Sequence, residues 1–415
     1  MNQINIATAA RNEGVAGSRH VLILVENLPV PFDRRVWQEA LTLRQAGYEV
    51  SVICPTGRGY DAEYEVLEGV HIYRHRLREA QSARGYPAEY LSALSNQLRL
   101  SFKVRRRQRI DVIQACNPPD LMFLVALVHK RLFGTRFVFD HHDLSPELYL
   151  SKFGRKDVVH ALLLWLERLT FRTADSCIAT NEVFREIAMA RGGVQPERAF
   201  IVKSYPDSAR TRRREPEASL ASLGKCVVGY VGIMGSQDGV ETLIRAMREI
   251  VHERGRDDIY CALIGDGTEL ERLRRLATEL GLDDAVRFTG YRTGADLMAH
   301  LSAVQIGVIP DPPNEFNDKL SMNKVFEYMM LGIPIVQFDL RQARKDAGEA
   351  GLVVAGHSPA DLADGILALA DDPTRRARMA DAASAIAGLR FQWPVEAAQY
   401  LSAYEAVFNR IPAHA

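Results

Sequence analysis

A chain of 415 residues is too long for one ordinary hydrophobic core, so two domains are expected. Its composition, 47% hydrophobic and 25% charged, is that of a globular protein, and 52 basic against 52 acidic residues exclude a nucleic-acid binder defined by overall charge. Five cysteines (54, 116, 177, 226 and 261) form no CxxC or His/Cys cluster, which points to reduced core thiols in a cytoplasmic protein without structural zinc. Residues 1–18 are small and polar with no apolar signal segment, and read as a disordered tail. No run reaches the ~18–20 apolar residues that span a bilayer.

The first strand is expected at His20–Val25, followed by a loop with two prolines. Asp33 then caps a helix over Arg34–Gln45 that Gly47 closes, and Tyr48–Pro55 is the second strand. Strand, helix, glycine and strand at this spacing make a βαβ unit and hence a parallel sheet. Further strands are expected at 70–75, 111–116, 136–140 and 174–179, with helices over 119–133 and 161–173. The tract 207–223, dense in Arg, Glu, Ser and Ala, reads as a linker. A second βα series follows, with strands at 226–231, 260–264, 285–289, 305–309, 333–338 and 352–354. The expected organisation is a tail (1–18), a first domain (19–206), a linker (207–224), a second domain (225–395) and a final amphipathic helix (396–415). The fold class is α/β: two Rossmann-like, doubly wound parallel-sheet domains facing a cleft, with ligands at the strand C-termini.

Five loops carry candidate chemistry. Gly232–Gly239 follows a strand and precedes a helix, so Gly235, Gln237 and Asp238 are placed where backbone can approach an anion. Gly265-Asp266-Gly267 repeats that arrangement, and Tyr291 with Arg292 after the next strand offers an aromatic and a guanidinium for a base. The richest stretch is Glu315–Leu340. There Ser321 is the expected N-cap of a helix that Gly332 and Pro334 stop, and Lys319, Met322 and Asn323 lie at or before its start. Asn323, Lys324 and Glu327 fall on one face, where an ammonium and a helix N-terminus suit a phosphate and a carboxylate suits sugar hydroxyls; a solvated face is the plain alternative. The fifth loop is His141-His142-Asp143, at a strand end. It suits a general acid/base or a donor to a substrate hydroxyl, with one of the two histidines packing instead, and no further cluster completes a metal site. Asp33 and Arg34 hold an acceptor or simply begin the helix. Leu98–Arg109 alternates apolar and cationic residues, and is either an anionic-membrane contact or an exposed basic helix or loop.

From about His20 to the last helix, the pattern resembles the retaining nucleotide-sugar glycosyltransferases of the GT-B fold, family four (group 1). KVFEYMMLGIPIV is the most specific match, supported by Gly265-Asp266-Gly267, VRFTGY, ADSCIATNE and HDLSPE. The start, DRRVWQEALTLRQAGYEVSVICP, is similar to members acting in bacterial polysaccharide assembly. The resemblance implies a nucleoside-diphosphate-sugar donor on the second domain, an acceptor on the first, no metal or other cofactor, and a last helix that crosses back to the first domain. It makes Glu327 the partner of the donor ribose and His142 the acceptor-side histidine. The chain departs from the family where Lys319 replaces the first glutamate of the Glu-x7-Glu pair. Ile233 and Asp238 stand where the family's diphosphate-binding Arg and Lys are expected, and Pro29-Val-Pro31 replaces a glycine-rich loop.

A leaving diphosphate needs positive donors, so Lys319 and Lys324 with the helix start are the nearest replacements. His142, Lys324 and Glu327 are therefore the expected catalytic set. Gly235, Gln237, Asp238, Gly265, Asp266, Gly267, Tyr291, Arg292, Lys319, Ser321, Met322 and Asn323 are expected to bind the donor, and Asp33, Arg34 and His141 the acceptor. The function expected is sugar transfer to a polysaccharide or lipid-linked acceptor, by a cytoplasmic protein that rests peripherally on the inner face of the membrane. A degenerate nucleotide-binding partner subunit and a GT-B nucleotide-sugar epimerase are the alternatives. A dehydrogenase is disfavoured because the first strand lacks a GxGxxG turn.

Overall fold

A computed structural model describes residues 18–76 and 86–408. The tail expected over 1–18 lies outside them except for Ser18. The chain divides into two compact units: one runs to Cys116 and takes in Leu124–Phe137, and the other holds Asn117–Phe123 and everything from Val138 on.

In the first unit, β1 (His20–Leu24), β2 (Glu49–Pro55), β3 (Tyr64–Leu67), β4 (Val70–His75) and β5 (Val112–Cys116) lie in the order β3-β4-β2-β1-β5. All these neighbours pair in parallel except β3, an antiparallel edge on β4. Every residue of β1 and β5 is buried, as expected of strands covered on both faces. The connecting helices are α1 (Arg34–Gln45), α2 (Tyr86–Arg107) and α3 (Phe123–Phe133). α3, expected from about 119, begins at Phe123.

The second unit holds β6 (Arg136–His141) from Val138 on, α4 (Ser145–Phe153), α5 (Val158–Thr173), β7 (Ser176–Ala179), α6 (Glu182–Gly192) and β8 (Ala199–Ile201). β6, β7 and β8 pair in parallel in that order. A six-stranded parallel sheet follows, built from β9 (Cys226–Ile233), β10 (Ile259–Asp266), β11 (Val286–Gly290), β12 (Ile306–Ile309), β13 (Ile335–Gln337) and β14 (Gly351–Val353). Its order is β11-β10-β9-β12-β13-β14, so the strand order turns back at β9. Helices α7 (Ala218–Ala221), α8 (Val240–Arg248), α9 (Leu270–Glu279), α10 (Gly294–Ser302), α11 (Asn323–Met330), α12 (Arg341–Ala347), α13 (Pro359–Ala370) and α14 (Pro373–Arg390) join and cover these strands. The last helix, α15 (Trp393–Phe408), packs on β7 and β8, and its Glu396 accepts the Lys203 backbone N–H at 2.7 Å.

All six strands expected in the second series are present, each within a few residues of its expected bounds. β3 and β8 went unanticipated: both are short edges, and β3 shows no buried face that a pattern could reveal. The tract read as a linker is instead fastened down. It holds α7, and Arg213 donates to the backbone oxygens of Leu331 and Ser302 at 2.7 and 3.3 Å. Four of the five cysteines are buried and Cys226 is half-buried.

Candidate active site

The loops after β9, β10 and β12 meet because glycine lets them. A Cβ at Gly265 would lie 1.9 Å from the Gly232 carbonyl oxygen, and one at Gly267 would lie 2.5 Å from that of Met234. Gly239, at φ +67°, would meet the Pro310 carbonyl oxygen at 2.0 Å. Met234 N–H donates to Asp266 at 2.9 Å, Glu269 N–H to Met234 at 3.0 Å, and the Asn317 amide to the Gln237 carbonyl at 3.1 Å. Asp266 turns its carboxylate onto the Gly267 N–H at 2.7 Å. Gly265, Asp266 and Gly267 thus shape the loops, and Gly235 N–H is taken by Asp238 at 2.8 Å.

At the turn-back between β9 and β12, Lys324 sits among acids. Lys324, in the first turn of α11, donates from Nζ to Asp311 Oδ2 at 2.7 Å and lies 4.8 Å from the centroid of the Tyr230 ring. Asp311, in the loop after β12, is buried, and burial pushes its carboxyl up from the ordinary range against the pull of Lys324. Asp238 is pushed up to about 6, first by burial and further by Asp311, with Lys324 opposing. Two acids around one amine leave this corner short of positive charge. Glu327, one turn further along α11, is buried rather than on an open face.

Three expectations are corrected, two in the loop before α11 and one in the loop after β11. Ser321 is not the N-cap; Met322 holds that position without a side-chain bond, and the Ser321 hydroxyl donates to Asp346 at 2.8 Å while accepting from Asn181 and Gln342. Lys319 points its ammonium at Glu147 of α4, 2.9 Å away, and its carbonyl takes the Asn181 amide, also at 2.9 Å. Arg292 is folded onto its own loop, with two donations to the Thr289 carbonyl at 2.8 and 3.0 Å and one to Asp296, so it is not poised to stack on a base. Tyr291 and Asn323 are exposed.

The two histidines at the end of β6 separate by strand alternation. His141 is wholly buried among Phe139, Phe171 and Phe184, and burial drives its ring down to about 3, so the expectation that it touches an acceptor is corrected: it is a core residue. His142 faces the other way, and its Nε2 lies 2.6 Å from Oδ2 of Asp140, a fully buried carboxylate. Its partner is therefore Asp140, two residues earlier, and not Asp143. The loop itself is clamped by Asn117, whose Oδ1 accepts the N–H groups of His142 and Asp143 at 2.7 and 3.1 Å while its amide donates to the Asp143 carbonyl at 2.7 Å. Asp120 and Asp143, both pushed to about 6 by burial, line the inner side of this turn, and Glu167 of α5 rises to about 8 because burial outweighs Arg191, 3.3 Å away.

In the first unit, Asp33 is the N-cap of α1 and accepts from Val36 N–H at 3.1 Å, and Arg34 is exposed. Sequence reasoning missed Asp311, Asp140 and Asn117. Each stands at a strand end or just after one, and for Asp140 the period of two was a usable signal. Nothing in the spacing marks Asp311 as the partner of Lys324.

A doubly wound parallel sheet that turns back at β9, with glycine-shaped loops at that crevice, has the form of one half of the GT-B fold. The comparisons agree. A model of "Glycosyl transferases group 1" matches residues 225–372, and one of a "Glycosyl transferase 4-like domain" matches residues 33–203. The alpha-D-kanosaminyltransferase of Streptomyces kanamyceticus is 25% identical over 322 residues, covering 75% of this chain and 81% of that one. The fold is shared with a sucrose-phosphate synthase from Thermosynechococcus elongatus (TM-score 0.77, 17% identity, 94% of this chain and 99% of that one). It is shared also with Anabaena HepE in complex with UDP and glucose (TM-score 0.68, 17% identity, 94% and 100%). The chain belongs to the group 1 glycosyltransferases of the family-four type, and it is a transferase.

Proposed function

We infer that the protein moves a sugar, with retention, from a nucleoside-diphosphate sugar to a polysaccharide or lipid-linked acceptor. The observation that carries this reading is the Lys324–Asp311–Asp238 cluster at the β9–β12 turn-back. A diphosphate placed there would share the Lys324 ammonium with Asp311, and its charge grows as the glycosidic bond breaks, so the ammonium is worth most in the transition state. Lys324 is then the group that stabilises the leaving phosphate, with the start of α11 at Met322 and Asn323 adding backbone donors. Glu327 serves the donor ribose in this scheme. Lys319, tied to Glu147, braces the loop rather than the phosphate.

On the acceptor side, His142 is the residue that meets the incoming hydroxyl. Asp140 accepts from its Nε2–H and holds the ring in one tautomer and orientation. Asp140 is a positioning residue, and Asn117 holds the backbone of the same turn. In the retaining scheme the departing phosphate itself takes the acceptor proton. The names of relatives support a nucleotide-sugar donor: HepE was solved with UDP and glucose, and the kanosaminyltransferase moves an amino sugar.

The test is a thermal-shift screen against UDP-, GDP- and ADP-sugars, followed by radiolabelled transfer with the sugar that binds. One nucleotide should raise the melting temperature well above the others and support transfer with retained anomeric configuration. Equal, negligible shifts with all three would remove the donor site.

A further inference from the structure

Among the described residues, large apolar side chains that stay exposed are concentrated on α5 and the end of α4. Val158 is 84% exposed, Trp165 55% and Leu162 49%, and Phe153 and Val159 are exposed beside them. Val158, Leu162, Trp165 and the half-buried Leu169 fall at i, i+4, i+7 and i+11, which is one stripe along α5. The opposite stripe faces inward, with Glu167, Thr170 and Phe171 buried. An amphipathic helix that turns its apolar face outward on a globular protein marks an interaction surface.

The charges around the stripe say what it meets. From Arg155 to Arg172 there are four cations, Arg155, Lys156, Arg168 and Arg172, all exposed, in a chain whose net charge is +0. The two acids of this span are occupied: Glu167 is buried, and Asp157 caps α5 and takes Tyr149 and Arg155. We propose that α5 and the end of α4 dock on an anionic lipid surface, with Val158, Leu162 and Trp165 entering the headgroup–acyl boundary and the four cations meeting lipid phosphates. A tryptophan flanked by arginines suits that boundary, where its ring has an apolar body and a polar tip. A protein partner of matching shape would need an acidic rim; a lipid surface supplies negative charge at every point.

The basic segment Leu98–Arg109 fits such a surface less well. Its Leu100 and Val104 are buried, Arg105 lies 3.5 Å over the Phe133 ring, and Arg107 lies over Tyr64 and Tyr73. Those guanidiniums rest on the protein's own rings, and no described large apolar residue of that segment is exposed. The docking surface stands whether or not the acceptor is lipid-linked.

The experiment cosediments the full chain with vesicles of equimolar phosphatidylglycerol and phosphatidylcholine, and with phosphatidylcholine alone. The protein is expected to pellet with the first and not the second, to release as salt is raised, and to shift its tryptophan emission to the blue on binding. Leu162→Glu/Trp165→Glu should weaken binding at least about ten-fold, and Arg168→Glu/Arg172→Glu should weaken it at low salt, with melting temperature and donor-sugar binding unchanged in both. Arg99→Glu/Arg106→Glu on α2 should leave binding near normal. The proposal falls if the wild type ignores the acidic vesicles, or if the α5 variants bind as it does. It also falls if ultracentrifugation shows a dimer that Leu162→Glu/Trp165→Glu splits while neither form binds vesicles.

Discussion

Lys324 and His142 are each held by a buried aspartate, yet their settings differ in what remains to be satisfied. Around Lys324 there are two carboxylates, Asp311 and Asp238, and the second is pushed to about 6 by burial and by its neighbour. His142 instead meets the buried Asp140 carboxylate and sits on a backbone locked by both ends of the Asn117 amide. The lysine corner holds more carboxylate than ammonium, so an anionic donor is met best once Asp238 is protonated, whereas the histidine turn is fixed by its hydrogen bonds. Donor binding should therefore depend on pH and on local charge, while the histidine's role should depend on geometry.

The largest expected effect lies at the lysine. Lys324→Met should lower turnover by about 10²- to 10³-fold, the range seen when a donor to developing charge is removed. It should also destabilise the fold, by about 3–5 kcal/mol, because Asp311 would be left buried without its cation. Adding Asp311→Asn should restore the melting temperature and leave turnover low, which separates chemistry from folding. At the histidine, Asp140→Asn should cut kcat by about 10²-fold with little change in KM. The pair His142→Gln/Asp140→Asn should lose no more than His142→Gln alone, since the aspartate acts through the ring. Additive losses would break that half of the comparison.

A smaller effect distinguishes the two corners by titration. A protonated Asp238 presents no negative charge to a diphosphate, so donor-sugar affinity should rise about three- to ten-fold as pH falls through about 6. Asp238→Asn should flatten that dependence, read by calorimetry with the intact nucleotide sugar. The smallest effect is on stability. Glu167 has a folded pKa raised to about 8 from an ordinary 4.5, so the folded state holds its proton where the unfolded state has lost it. Stability from this group is present at low pH, declines once pH passes 4.5, and is gone above 8. Between pH 6.5 and 8 the melting temperature should drift down in the wild type and stay flatter in Glu167→Gln.

The sheet of the second unit was readable because buried parallel strands leave continuous apolar runs, as in Cys226–Val231 and Tyr260–Ile264. Short edges such as β3 and β8 leave no such run. The helix start that carries Lys324 was also legible, through KVFEYMMLGIPIV. The partner of Lys324 was not, because Asp311 lies thirteen residues earlier in an irregular loop and only the fold brings the two together. Ser321 misled for a related reason: it has an N-cap's chemistry one residue too early, and its hydroxyl is taken by Asp346, from α12. The choice between His141 and His142 was in the sequence all along, since Phe137, Phe139 and His141 share one face of β6 while Asp140 and His142 share the other.

Calorimetry with the nucleotide sugar selected by the thermal-shift screen tests the central claim most directly, using wild type, Lys324→Met/Asp311→Asn and Asp311→Asn. Affinity should fall by at least about ten-fold in the double variant and hold or rise in Asp311→Asn, where the ammonium remains and one opposing carboxylate is gone. Unchanged affinity in the double variant, with its fold intact, would place the diphosphate away from Lys324 and contradict the account.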